Sequence, residues 1–361
     1  MRKIKSRGIR RMVKNLITGI AGFVASHLAN YLLEKGETVY GTYRWNEDLS
    51  RIQHIKDKIT MIPADLLDLK SMIDAVATAK PDYIFHLAAQ SYVPDSFKYP
   101  ELTIQTNTIG TYNLLEAVRY LREITEAVIE ETVKEVRAIT FIKQTVKFDP
   151  VIHICSSSEV YGQVDKKDIP IKETQAFNPA NPYAVGKIGA DMLGLLYFKN
   201  YGLKVIRTRM FTHSGPRRTM MSAEVNFARQ IALIEKDTKD PKNKGDYIIN
   251  HGNLDSIRTW SDVRDAVRAY WLLVRKCTPG EVYNIGGNTQ KTIGEMLDYL
   301  ISLSPVKEFI YKEQDPSLLR PSDVTLQIPD TSKFIKATGW KPEHTFEQTM
   351  QDLLDWWREN V

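Results

Sequence analysis

Tyr183 and Lys187 stand four residues apart in PYAVGK, a stretch that reads as the start of a helix. Residues four apart share a helical face, so a phenol would lie beside a cation. The ammonium would lower the phenol's pKa and make it an acid–base usable near neutrality. Upstream, the apolar run VIHI gives way to Ser157, Ser158 and Glu159, as a buried strand does at its end. If that end faces the helix, two hydroxyls and a carboxylate lie opposite the phenol. Singly, these residues have ordinary readings: a serine N-cap, a surface carboxylate, a helix-surface pair. Together, and behind a glycine turn earlier in the chain, they read as an active site.

That turn supplies the cofactor. A short apolar strand, Val13 to Ile17, runs into TGIAGFVASHLANYLLEKG, where Gly19, Gly22 and Ala25 open a helix whose Val24, Leu28 and Leu32 recur at helical spacing. In such a unit, bare backbone and a helix N-terminus receive a pyrophosphate. Gly19, Ala21, Gly22, Phe23 and Val24 are therefore expected at the cofactor, although G-x-x-G-x-x-A departs from the G-x-G-x-x-G fingerprint. A second strand, Thr38 to Thr42, ends in Tyr43-Arg44. An acid there would hold ribose hydroxyls, whereas an arginine suits a 2′-phosphate, so Arg44, with Arg51 in support, favours NADP over NAD. Asp65 and Leu66 follow a third strand, at the adenine edge. A fourth, in PDYIFHLAAQS, delivers Leu87, Ala88, Ala89 and Ser91 to the nicotinamide side, with His86 read as a packed core histidine.

Composition bounds the rest. The 361 residues are 43% hydrophobic, enough for one large domain or two smaller ones. Strand and helix alternate in the first half, and the second is less regular and rich in arginine and tryptophan. The expected fold is α/β: a Rossmann-like doubly wound parallel sheet with a smaller, discontinuous α/β substrate-binding cap. Its parts would be a basic leader at 1–12, a dinucleotide domain at 13–211 with a charged helical insertion near 122–148, and a cap mainly at 212–361, with 254–290 returning to the first domain. A net charge of +5 suits an anionic small substrate and is too weak for a nucleic-acid binder. Cys155 and Cys277 form no disulfide framework, which places the chain in a reducing cytoplasm. No apolar run approaches the roughly 18 residues of a membrane span. The histidines show neither H-x-H nor H-E-x-x-H spacing, so no metal is expected, and no G-x-S-x-G elbow suggests a hydrolase.

TGIAGFVASHL, HLAAQS, SSSEVYG, PYAVGK, HSGPRR, GNLDSIRTWSDV and RPSDV resemble the extended short-chain dehydrogenase/reductases. Within them the chain is similar to the GDP-sugar branch of GDP-mannose 4,6-dehydratase type, close also to GDP-4-keto-6-deoxy-mannose reductase. The resemblance runs from Val13 to Val361 apart from the insertion. It implies that Tyr183, kept anionic by Lys187, takes the proton of a hexose 4-hydroxyl while hydride leaves C4 for NADP. Glu159 then removes the C5 proton and protonates the hydroxyl leaving C6, where the hydride returns. Ser157 would hydrogen-bond the 4-oxygen, with Ser158 beside it on the substrate. His213 and Arg218 would meet the cofactor's edge; Arg258 and Arg320, with Arg217, would hold the diphosphate and ribose of GDP. The sequence departs from the branch at Thr212, where asparagine is usual, at Ala25 and in the insertion. A homodimer or homotetramer would form through helices near 107–120 and 183–199. The ketoreductase, an epimerase and a non-catalytic dinucleotide-binding scaffold are the alternatives.

Overall fold

The computed structural model describes residues 11–135 (backbone alone over 127–135), 148–218, 222–238, 245–319 and 324–361. The expected leader up to residue 10, residues 136–147 of the charged insertion and Arg320 lie outside the described residues. Seven parallel strands form the main sheet: β1 (Lys14–Thr18), β2 (Thr38–Tyr43), β3 (Thr60–Pro63), β4 (Tyr83–His86), β5 (Val151–Ser157), β6 (Lys204–Met210) and, from late in the chain, the strand Val282–Ile285. Their order runs from Val282–Ile285 through β6, β5, β4, β1 and β2 to β3, with the reversal between β1 and β4. Ligands bind outside the carboxyl ends of such a sheet, at that switch point.

Two helical layers cover the sheet. On one face, α1 (Phe23–Glu34) packs with the late helix Val263–Lys276 through Leu28, Leu32, Val267 and Tyr270. On the other lie α2 (Leu69–Ala79), the short helices α3 (Val93–Lys98) and α4 (Pro100–Ile104), α5 (Gly110–Glu135) and α6 (Pro182–Tyr201). Met72, Val76, Leu114, Val118 and Tyr197 fill that layer. Strands buried on both faces explain why VIHI and YIFH read as continuous apolar runs.

A separate core, around Phe227, Ile231, Trp260, Leu297, Met350 and Leu354, belongs to the cap. Its elements include β7 (His213–Ser214), α7 (Ala223–Asp237), β8 (Tyr247–His251), β9 (Ile257–Asp262), β11 (Thr289–Thr292), β12 (Ile310–Gln314) and β13 (Leu326–Gln327), whereas β10 is the Val282–Ile285 strand of the main sheet. The β9 strand pairs with β7, β11 and β13, and β8 pairs with β12. The chain thus passes into the cap, returns through Val263–Lys276 and β10 to the first sheet, and leaves again.

His86 is a buried core residue whose hydrogen bonds shape the cofactor side of the sheet. The Thr18 hydroxyl accepts the amides of Leu87 and Ala88 and lies 2.9 Å from His86 Nδ1. The Thr111 hydroxyl donates to the Asn107 carbonyl and lies 3.0 Å from His86 Nε2. Each hydroxyl has one proton, so Thr18 donates to Nδ1 and Nε2–H donates to Thr111, and the ring is neutral. Burial holds His86 and His153 at a pKa of about 3. His27 is held equally low by burial and then by Arg217.

The unfolded chain takes up these protons below about pH 6.5 while the folded chain refuses them, so stability is full above that pH and is lost as pH falls toward 3. Each histidine contributes a slope of up to about 1.4 kcal/mol per pH unit. We expect the melting temperature of the ligand-free protein to drop steadily from pH 7 to pH 5. A flat thermal-melt series over that interval would contradict the assignment.

Candidate active site

Where β1 turns into α1, Gly19 takes φ +67°, and a Cβ there would lie 3.0 Å from Ala88. Only glycine allows both the backbone angle and the approach of the Leu87–Ala89 segment. Gly22 is the N-cap of α1 and offers no side-chain cap. The first-turn amides of α1 are left for an anion, which is the donor set a pyrophosphate requires. From this turn a cleft of about 940 Å³ runs along the carboxyl ends of the strands into the cap.

Most of the sequence-predicted cofactor residues line this cleft: Gly19, Gly22, Phe23, Val24, Arg44, Asp65, Leu66, Leu87, Ala88, Ala89, Ser91, His213 and Arg218. Ala21 is buried beneath the turn. Arg44 sits at the end of β2 with its backbone N–H donating to Glu47 Oε2, 3.0 Å away, and Glu47 shares the lining. His213 stacks on Phe23 with centroids 6.1 Å apart, and burial followed by Arg218 pulls its pKa down to about 4. Arg218 lies over the Phe23 ring and pairs with Glu224 at 3.1 Å.

Ser157, Ser158, Glu159, Tyr183 and Lys187 converge on the same cleft. Ser157 ends β5 and caps a short 3-10 turn, Ser158–Tyr161, by accepting the Glu159 amide. Gly162 closes that turn at φ +57°, where a Cβ would collide with the Asn178 carbonyl oxygen. Asn181 accepts the Ala184 amide as N-cap of α6 and donates its Nδ2 to Glu159 Oε2 at 3.0 Å. Gln327 Nε2 donates to Glu159 Oε1 at 3.4 Å. Ser158 Oγ donates to Gln327 Oε1 at 2.8 Å. The carboxylate is thus held between two carboxamides, one from each domain.

The phenol differs from its sequence-based expectation. Burial pushes the Tyr183 pKa well above the ordinary tyrosine value, outweighing the hydrogen bond from Ser157, with Glu159 adding to the rise. Lys187 is itself held low by burial; its Nζ donates to the Cys155 carbonyl at 2.8 Å and stands 5.9 Å from the Tyr183 ring centroid. In the ligand-free chain the phenol is therefore protonated, not kept anionic by the lysine.

The paired arginines split. Arg218 turns into the cleft, but Arg217, at φ +67°, turns away and does not line it. Its Nη2 contacts His27 Nδ1 at 2.7 Å and its carbonyl accepts Arg51 Nε at 2.9 Å. Burial followed by Arg51 lowers its pKa to about 10. Arg217, with Arg51, thus ties a loop to α1 and does not face the cleft. Arg258 lines the cap side of the cleft, with His251, Asn253 and Ser256 nearby. Sequence reading missed Asn181, Gln327, Glu47 and the cap polar groups; only Asn181, as the residue before Pro-Tyr at a helix start, carried a local signal. Among the described residues no group of three His, Cys, Asp or Glu is placed to hold a metal.

Beneath the site, Asp191 of α6 accepts Arg207 Nη1 at 2.7 Å and Arg209 Nε at 2.9 Å, all fully or almost fully buried. Arg209 also donates to the Tyr161 hydroxyl at 3.0 Å, which donates to Asn284 at 2.7 Å. One ion cluster therefore locks the helix carrying Tyr183 and the turn carrying Glu159 to β6.

A switch-point sheet, a glycine turn and a Ser/Tyr/Lys group at one cleft define an extended short-chain dehydrogenase/reductase. The sequence pattern of the family described as GDP-mannose 4,6 dehydratase matches residues 16–353, and the chain belongs to that family. It is 31% identical to GDP-mannose 4,6-dehydratase of Yersinia enterocolitica, over 95% of this chain and 93% of the relative. It is 29% identical to GDP-6-deoxy-D-mannose reductase of Pseudomonas aeruginosa, over 96% and 97%. A solved structure of RMD from Pseudomonas aeruginosa complexed with NADPH superposes with a TM-score of 0.73 at 28% identity, covering 97% of this chain and all of that one.

Removing Asp191 would strand two buried guanidinium groups. We expect Asp191→Ala to destabilise the fold by about 3–5 kcal/mol, with Asp191→Asn milder because it keeps an acceptor. Urea denaturation of both variants measures this; wild-type stability in Asp191→Ala would refute the locking role.

Proposed function

We propose that the protein is a GDP-sugar 4,6-dehydratase that converts GDP-mannose, or a close relative such as a GDP-manno-heptose, to the 4-keto-6-deoxy sugar. The observation that carries this reading is Glu159: its carboxylate lines the same cleft as Tyr183 and Ser157 and is held there from both sides. Oxidation at C4 alone needs only the Ser, Tyr and Lys groups, whereas elimination needs a further base and acid, and a carboxylate serves as both.

When bound, the nicotinamide supplies a reversible oxidation, holding the C4 hydride until it is returned at C6. Ser157 and Tyr183 orient the 4-oxygen, and Tyr183 accepts its proton. With C4 a ketone, the C5 proton is acidic; Glu159 takes it and passes it to the C6 hydroxyl, which leaves as water. The proton taken from the 4-oxygen balances the one needed at C5, so the net change is loss of water. Tyr183 can act as a base only once its pKa falls. Tyr183 would be shifted in that direction by a positive charge brought near it, since such a charge favours the phenolate. Arg258 on the cap side suits the GDP diphosphate, and Arg320 belongs to the same reading.

Arg44 at the end of β2 favours NADP over NAD. The ketoreductase is the second reading, favoured by full-length similarity to the Pseudomonas aeruginosa reductase. No helix among the described residues is long and apolar enough to cross a membrane, and the family resemblance supports a cytoplasmic enzyme. Exposed Tyr112, Tyr120 and Ile124 on α5, with Val185, Met192 and Leu196 on α6, support a homodimer or homotetramer built on these helices.

Incubation with GDP-mannose and catalytic NADP should yield a 4-keto product without net cofactor reduction. An inert mixture, with NADPH oxidised instead when the 4-keto sugar is given, would overturn the lyase reading. Tyr183→Phe should lower kcat about 10²–10⁴-fold. Arg44→Ala should weaken NADP by about tenfold or more through loss of a guanidinium–phosphate pair, leaving NAD little changed; equal weakening of both in titration calorimetry would refute the role of Arg44.

A further inference from the structure

We infer that Gln327 is a positioning residue for elimination, through which the cap sets the catalytic carboxylate; the inference rests on the dehydratase reading above. Gln327 is 2% exposed, so its carboxamide must find partners inside the protein. It finds two: the Ser158 hydroxyl donates to its Oε1 at 2.8 Å, and its Nε2 donates to Glu159 Oε1 at 3.4 Å. These partners admit one orientation of the amide. Flipped, it would present an oxygen to the carboxylate.

Asn181 holds the other carboxylate oxygen at 3.0 Å and belongs to the helix that carries Tyr183. Gln327 belongs to the cap, on β13, in register with Arg258 of β9. Glu159 therefore touches both domains, one through each oxygen, and its aim toward a hexose depends on where the cap sits. Both donors are uncharged amides. They fix the carboxylate without pairing it to a cation, which leaves it able to take and release a proton. C4 oxidation involves Ser157 and Tyr183, which Gln327 does not touch. Losing Gln327 should thus slow the steps after oxidation and leave oxidation itself intact.

The test uses the full-length, NADP-loaded enzyme with GDP-mannose, comparing wild type with Gln327→Leu and Gln327→Glu. Gln327→Leu keeps the bulk and removes both hydrogen bonds. It should lower kcat about 10–100-fold, the scale expected when a reacting group is misplaced by about 1 Å, with KM little changed. Reduced nicotinamide, absent from the wild-type steady state, should accumulate at 340 nm. Gln327→Glu at pH 8 sets a second carboxylate against Glu159 and should be at least as slow. Its activity relative to wild type should recover toward pH 6, where a shared proton restores a donor, a recovery that Gln327→Leu cannot show. Wild-type kcat in both variants, or slow turnover with no reduced cofactor and no pH-dependent recovery, would overturn the inference. Should wild type form no 4-keto product, the dehydratase reading fails instead. A crystal structure of Gln327→Leu then decides the positioning alone: an unmoved Glu159 overturns it, and a released one upholds it.

Discussion

Asp191 is the point on which this architecture turns. A single carboxylate, shut off from water, holds two guanidinium groups that would otherwise be buried charges without a counterion. Such a cluster adds little net stability over an apolar core of the same shape, but it tolerates few geometries. Because Asp191 is on α6 and the arginines are on β6, helix and sheet can meet in one register only. Tyr161 extends that constraint to the turn bearing Glu159. The acid and the phenol are thereby referred to one rigid frame, although they come from separate parts of the chain.

The cap is tied to this frame by different chemistry. At the cleft it meets the first domain through the Gln327 carboxamide, which bonds the Ser158 hydroxyl and the Glu159 carboxylate, and elsewhere through the helix Val263–Lys276 and β10, which belong to the first domain's own layers. A discontinuous cap anchored by its own return strand moves less freely than one hung from a single linker. The cleft is formed where these two attachments converge, and its lining draws on both domains.

Much of this was legible in the sequence because it is local. The glycine turn, the serine run with its glutamate, and the Tyr–Lys pair each fit within one turn of backbone, and spacing alone gives their relative placement. Continuous apolar runs announced strands covered on both faces, and His86 announced itself as core by its neighbours. What escaped depends on tertiary partners. Nothing distinguishes Gln327 from any other polar residue of a short strand until β13 lies beside the Ser158–Tyr161 turn. Arg217 and Arg218 are indistinguishable as a dipeptide; a left-handed backbone angle sends one to α1 and the other into the cleft. The phenol's protonation was misjudged for the same reason. Spacing shows that a cation is near, but burial, which acts more strongly here, depends on the whole fold.

The bare N-terminus of α1 has a consequence for the life of the enzyme. A helix that begins on glycine, with no side chain answering its first amides, leaves those amides to water or to an anion that binds there. The dinucleotide is then a structural part as well as a reactant. Whatever occupies that place shifts the folding equilibrium by mass action, more so the tighter it is held. Where the hydride borrowed in a cycle is handed back within it, nothing requires that occupant to leave between turnovers. An uncapped binding turn and a coenzyme that stayed in place between turnovers would then be two aspects of one economy, in which the protein leaves to its passenger the last step of its own assembly.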